Sequence, residues 1–440
     1  MGNRGRALGG ARHCVLSLGF SLAIALIGGS ALVDAEESPG VEKPNDDGDS
    51  LRQLKEHVAD LDGRVRKVEA KAAAAPATDS PPKKPAFSIS GFIKADFLYA
   101  DGRVNSTDAP RFALSETASH KDDDFFSATV QHSRLIGQWA GPDVFGGSVG
   151  GLAEVDFFSL GDTGDSKFNN NQIRVRQLFA ELRAQSWAVK AGQTWDLFSP
   201  LNPSTLNTNG NYWFGGNAGF RRPQIEAEKT FSFGKGHEVT VAGSANANIG
   251  RTETQSGRTI NSGEDAAVPV FEGSTTLKLA VLPGGPLSLT ASGLWGEEDV
   301  EGLEIGIEQW AVGLSLLLPL WDRLTIKSEF QWGENTDAFL MGGGIASNGD
   351  PVGGAGGWAE AAFKVTPDFT VTALYGLEDL SRGDVASSGR LRNRLIGGNA
   401  KYTVVKGLVV ATEYTFIATA FKDAPNATVN MLWWSVIFNF

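Results

Sequence analysis

Charged side chains recur two residues apart in several stretches of the chain: Lys94 and Asp96, Glu154 and Asp156, Arg174 and Arg176, Lys327 and Glu329. In an extended backbone such pairs share one face, so both signs of charge line a common surface. A different stretch, Leu197 to Phe220, is Asn-rich and has no charged residue, and it ends on Arg221 and Arg222. Guanidinium groups bind carboxylates and phosphates through two parallel hydrogen bonds. Arg134, Arg174, Arg176, Lys190, Arg221 and Arg222 are therefore a candidate positive site for small anions. The same arginines could instead pair with Glu154, Asp156, Glu226 and Glu228 and only brace a wall. A bulge near Arg174 and Arg176 would also change which of them faces inward. The residue types leave both readings open.

Catalysis is not expected. The histidines His13, His57, His120, His132 and His237 are scattered, and only His132 falls on an extended segment. No Gly-x-Ser-x-Gly turn sets a serine beside it, and no His/Cys spacing suits a metal. The lone cysteine, Cys14, rules out a disulfide framework. The chain is thus expected to work without a cofactor or a metal.

The elements that must carry these charges have period two. Phe369, Val371, Ala373, Tyr375 and Leu377 form one face, with Thr370 and Thr372 on the other. Leu324, Ile326, Ser328, Phe330 and Trp332 alternate with Thr325, Lys327, Glu329 and Gln331. Sixteen such segments follow one another from Phe87 to Phe440, among them 127–140 and 147–160. Short connections alternate with long ones, of which 197–222 is the longest after an early strand. That rhythm predicts an all-β fold, a 16-stranded antiparallel transmembrane β-barrel with both ends at the short-turn, periplasmic side. The 197–222 connection is then the loop that folds inward and constricts the lumen. Two packed sandwiches are the competing all-β architecture. Mixed charge on the polar face favours the barrel, as do aromatics at strand ends (Trp139, Trp187, Trp195, Trp295, Trp332, Trp358).

Composition agrees. The chain has 440 residues with 54 Gly, 41% hydrophobic residues and a net charge of −12. Glycine at nearly twice the usual ~7% argues against a helical protein. No uncharged apolar run past the N-terminal region reaches the ~20 residues of a transmembrane helix. The acidic balance argues against a nucleic-acid partner. Acids crowd the connections 101–126 and 297–308, including Asp122, Asp123 and Asp124. These are expected to face outside, in solvation or in divalent-cation bridges to lipopolysaccharide.

The N-terminal region divides by composition. Residues 1–35 form a signal peptide, with Arg4, Arg6 and Arg12 before the apolar run Val15 to Ile27 and a cut after Ala35. Residues 36–50 are a flexible acidic segment. Residues 51–72 are a periplasmic coiled-coil helix with a seam of Leu51, Leu54, Val58, Leu61, Val65 and Val68. Residues 73–86 are an Ala/Pro-rich linker, and 87–440 the outer-membrane barrel.

Several of these stretches together resemble the DcaP-like family of trimeric outer-membrane porins. They are Ser90-Gly91-Phe92-Ile93-Lys94-Ala95-Asp96, Glu154-Val155-Asp156-Phe157-Phe158, Ile173-Arg174-Val175-Arg176-Gln177-Leu178-Phe179, Gly192-Gln193-Thr194-Trp195 and Arg222-Pro223-Gln224-Ile225. The final strand ends on Phe440 and is similar to the signal read by the barrel assembly machinery. The resemblance implies a homotrimer passing small hydrophilic solutes, with small organic anions such as dicarboxylates favoured. The loops 249–268 and 335–355 have no counterpart in that pattern. The β-branched seam positions lean toward two strands rather than three. The alternative function is a barrel-anchored structural tether or adhesin that uses the coiled coil and transports little.

Overall fold

The computed structural model describes residues 86–440 except 117–122, 159–171, 251, 256–257, 301–305 and 347–348. The expected signal peptide, acidic segment and coiled-coil seam lie outside the described residues, as does all of the linker but Ala86. The strands are β1 Ala86–Ala100, β2 Phe125–Thr129, β3 Arg134–Val144, β4 Gly147–Asp156, β5 Arg174–Arg183, β6 Trp187–Trp195, β7 Arg221–Phe233 and β8 His237–Asn246. They continue as β9 Thr252–Gln255, β10 Arg258–Asn261, β11 Val270–Leu282, β12 Gly285–Glu298, β13 Ile307–Trp321, β14 Leu324–Glu334 and β15 Gly353–Thr366. The last are β16 Phe369–Leu380, β17 Arg390–Val405, β18 Leu408–Phe421 and β19 Ala427–Asn439. A short helix, α1, covers Ser262–Asp265.

Sheet strands pair antiparallel with their neighbours, β8 pairs with β11, and β19 pairs back to β1. The sheet is therefore a closed barrel. β9 and β10 form a separate hairpin within the connection from β8 to β11. β2 and β3 both pair with β1 and make a single stave, which brings the count to sixteen. That stave, expected to be continuous over 127–140, is broken. Phe92 pairs with Arg134 and Asp96 with Thr129, so residues 130–133 oppose the shorter run 93–95. The extra residue pushes the chain out of the ladder, as in a bulge, and swings His132 into the interior. The segment expected at 147–160 ends earlier, at Asp156.

Closure is what lets such a chain live in lipid, because it leaves no unpaired strand edge. The ladder reaches the last residue, since Gly91 and Phe440 exchange both backbone hydrogen bonds (3.2 and 3.1 Å). The alternation is apolar-out and polar-in. Ile93, Phe97, Leu314, Phe330, Trp332, Val436 and Phe438 are exposed on the outer wall. Lys94, Asp96, Glu154, Glu329, Glu360 and Glu413 are buried within. A sandwich would bury the first set and expose the second. Register shifts at Ala140/Asp143, Leu279/Leu282, Pro319/Trp321, Lys364/Thr366 and Thr403/Val405 all sit at the short-turn rim, a usual place for bulges.

Two outward expectations fail. Trp358 does not join an interfacial girdle; it shares the inward face with Glu360 and donates its indole N–H to Glu329 (3.0 Å). Glu298, expected to face outside, is buried and accepts from Ser262 Oγ, Gln309 Nε2 and Asn335 Nδ2. In both cases a polar group finds its partner across the interior rather than in solvent.

Candidate functional site

The connection after β6 folds into the lumen, and four wall glutamates hold its outgoing arm. Glu272 on β11 accepts from Leu197 N (2.6 Å) and Phe198 N (3.1 Å). Glu329 on β14 accepts from Ser199 Oγ (2.6 Å) and Leu201 N (2.9 Å). Glu360 on β15 accepts from Ser204 N (2.6 Å) and Ser204 Oγ (2.9 Å). Glu413 on β18 accepts from Thr205 Oγ1 (2.5 Å) and Leu206 N (2.7 Å). Lysines take the carbonyls between them. Lys327 Nζ donates to Asn202 O (2.9 Å), Lys401 Nζ to Ser204 O (2.8 Å) and Lys94 Nζ to Leu206 O (2.9 Å). Charge-assisted bonds of this kind are about twice as strong as neutral ones. A loop with no charge of its own thus docks on the charges of the wall.

At its tip the loop crosses to the opposite wall. Asn209 Oδ1 accepts from Arg174 Nη2 (2.8 Å) and Arg176 Nη1 (3.2 Å). Leu206 and Tyr212 pack with Leu98, Leu374, Leu395, Ile417 and Trp433 in an apolar cluster inside the barrel. The return arm runs against a slot without side chains. Gly216 has φ +105°, and a β-carbon there would lie 2.0 Å from Gly357 O. One at Gly376 would lie 2.2 Å from Gly215 O.

The facing wall carries the arginines. Arg174 on β5 grips Asp156 with two parallel bonds (2.9 and 2.6 Å). Arg176 bonds Glu154 (2.5 Å) and Asp156 (2.9 Å). The β4–β5 register shifts between Glu154 and Val155, which pair with Gln177 and Val175. Arg176 is therefore the extra residue of a bulge, and both it and Gln177 reach Glu154. Arg134 lies 3.3 Å from Glu154, Lys190 2.8 Å from Glu226, and Lys327 2.8 Å from Glu360. Wall bracing is thus present in the structure.

Not every expected pore residue reaches the pore. Arg222 is fully buried, ion-paired to Asp196 (3.0 Å) with Phe339 stacked 3.9 Å from its guanidinium. Arg221 is buried between the rings of Trp195 (4.5 Å) and Phe220 (4.7 Å). Lys94 and Asp96 are buried in a knot at the barrel seam, where Asp96 is bonded by Lys94 Nζ (2.5 Å), His132 Nδ1 (2.6 Å) and Ser435 Oγ. These four were expected to meet solute; the inward loop and the neighbouring rings cover them instead.

Of the expected pore residues, the charges that remain accessible have one sign, while Glu181 and Glu228, both ion-paired to Arg183 toward the short-turn end, keep 22 and 20% exposure. The side chains of Arg174, Lys190, Lys327 and Arg134 keep 25, 21, 20 and 19% exposure. Their acidic counterparts Glu154, Asp156, Glu226, Glu329 and Glu360 are buried under the loop or the arginines. Above them, half-buried Arg111 in the β1–β2 connection lies over Trp213 (5.3 Å) and Phe214 (5.9 Å). Burial, and next the Arg174 charge, lower its pKa to about 10. Sequence reasoning missed Arg111, Asp196, Glu272, Glu360, Lys401 and Glu413. Alternation put the strand residues among them on the inner face, but their loop contacts are far apart along the chain.

No protein-family model matches the chain, and no curated protein sequence matches it. Solved structures share its fold. The outer membrane channel DcaP of Acinetobacter baumannii aligns over 81% of this chain and 97% of its own, with a TM-score of 0.64 at 19% identity. An anion-selective porin from Comamonas acidovorans aligns over 81% and 100%, with a TM-score of 0.53 at 13% identity. OmpF of Salmonella typhi, solved with daunomycin, aligns over 80% and 97%, with a TM-score of 0.53 at 10% identity. The fold is that of the DcaP-like porins, reached at low sequence identity.

Proposed function

We propose that this chain is a porin of the bacterial outer membrane that passes small hydrophilic solutes by diffusion and favours small organic anions such as dicarboxylates. The observation that carries this reading is the asymmetry of four wall ion pairs around the inward loop. Arg134, Arg174, Lys190 and Lys327 are partly open while the acids paired with them are buried. Fixed charge at a constriction selects for the opposite charge. The likeness to an anion-selective porin supports the same preference. The chain acts as a homotrimer among outer-membrane lipid and lipopolysaccharide, delivered by a barrel assembly machinery that reads Phe440. Its coiled coil lies in the periplasm.

The test is the reversal potential of the protein in a planar bilayer under a potassium chloride gradient. A potential of the sign set by chloride is expected, and one set by potassium refutes the anion preference. A barrel that carries no current at all supports the tether reading instead.

A further inference from the structure

The throat's bases differ in what holds their charge. Arg174 and Arg176 lie against Asp156 and Glu154. Arg390 stacks on Phe112 and Phe214 but is also paired with Glu378 (2.9 Å). Arg221 has no acidic partner among the described residues, yet it is buried beyond a solute's reach. Arg111 combines the two properties a solute contact needs. It is half-buried rather than sealed, and its side chain has neither an ion pair nor a hydrogen-bond acceptor among the described residues. Only the rings of Trp213 and Phe214 hold it.

A ring face attracts a cation without neutralising it. The charge of Arg111 is therefore still available to an anion. The backbone around it is pinned: Arg111 N donates to Asn105 Oδ1 (2.9 Å), Arg111 O accepts from Asn393 Nδ2 (2.9 Å), and Pro110 O accepts from Asn207 Nδ2 (2.7 Å). Its Nε, covered by its surroundings, has no acceptor in the protein, so none of the guanidinium's hydrogen bonding is spent on a wall acid. Arg174 bonds Asn209 (2.8 Å) and Asn207 of the same loop turn bonds Pro110, the residue before Arg111 (2.7 Å), so both arginines lie against one turn of the inward loop. A solute coming from the long-loop side meets two guanidinium groups in succession, the first of them uncompensated.

We propose that Arg111 is a specificity-determining residue that captures carboxylate-bearing solutes on the long-loop side and passes them to Arg174. This rests on the anion reading above and adds a sidedness which that reading does not contain. The test uses full-length, folded protein inserted in one known direction in a planar bilayer, with sodium succinate as the probe. In the unmodified protein, succinate added to either side interrupts the current. In Arg111→Met, which keeps the packing of the stem, the rate of interruption from the long-loop side falls about tenfold, the low end of electrostatic steering. The rate from the short-turn side is unchanged, and Arg111→Lys recovers most of the loss.

An equal fall from both sides, or no fall, overturns the proposal. So does an absence of interruptions in an unmodified protein whose reversal potential is set by anions. If that reversal potential is set by cations, it is the function proposed above that fails. Should Arg111→Met not fold, Arg111→Gln carries the same two-sided measurement.

Discussion

Glu413 and Lys94 grip the two ends of one loop residue: Leu206 N–H donates to Glu413 (2.7 Å) while Leu206 O accepts from Lys94 Nζ (2.9 Å). Glu413 is on β18 and Lys94 on β1, with β19 between them. The grip therefore spans the seam where the last strand meets the first. The loop tip can take its final position only once the barrel has closed.

Removing one side of this grip should loosen the loop without opening the barrel. Glu413→Ala leaves Leu206 N and Thr205 Oγ1 without their acceptor, at a cost of about 1–3 kcal/mol. Rapid current flicker is expected, with the gel mobility of a folded barrel unchanged. A recording as quiet as that of the unmodified protein contradicts the role given to Glu413.

The glycine slot makes a second prediction. A β-carbon at Gly376 would lie 2.2 Å from Gly215 O, so Gly376→Leu must displace the return arm of the loop. Single-channel conductance is expected to rise, because the loop narrows the lumen. An unaltered conductance in a correctly folded variant means that the loop does not set the width.

Arg174 and Arg222 should respond differently although both are ion-paired arginines. Arg174→Ala uncovers Asp156 in the partly open throat, so anion preference is expected to fall or reverse in the reversal potential. Arg222→Ala strands buried Asp196 and is expected to cost about 3–5 kcal/mol in urea unfolding. Protein that still folds should keep its selectivity.

The outer face is testable by charge. Leu314, midway along β13 and 62% exposed, is expected to face hydrocarbon. Leu314→Arg should lower the unfolding free energy in lipid vesicles by about 2–4 kcal/mol, the cost of a base near the midplane. A neutral outcome argues that this wall does not meet lipid.

The heptad seam from Leu51 to Val68 is short for an independent coil. Deletion of residues 51–72 is therefore expected to leave the size of the proposed homotrimer in detergent unchanged. A shift to monomer, read by light scattering, makes the coil the main assembly element.

The barrel was legible because a lipid-facing strand must alternate, and alternation is local. Thr370 and Thr372, alternating with Phe369, Val371 and Ala373, declare their faces without any knowledge of the rest of the chain. The break at 130–133 was not legible, because one extra residue leaves period two nearly intact on either side. Arg174 and Arg176 were recognisable as inward charges, but the bulge that turns Arg176 and Gln177 to the same carboxylate depends on β4. The docking glutamates were harder still. Thr205 and Glu413 lie 208 residues apart, and nothing in either neighbourhood announces the other. The absence of charge in the loop is plain from its own residues, while the reason it can be uncharged is written on the strands it touches.

That division of labour separates two properties a diffusion channel must set. The aperture belongs to a neutral segment, Leu197 to Phe220, and the sign of the field belongs to the staves around it. Substitutions in the segment that keep its bonds to the wall glutamates would resize what passes while leaving its polarity alone. Exchanges at Arg134 or Lys190, which do not touch the segment, would shift the polarity at constant bore. A lineage or an engineer could explore solute size and solute charge as independent coordinates.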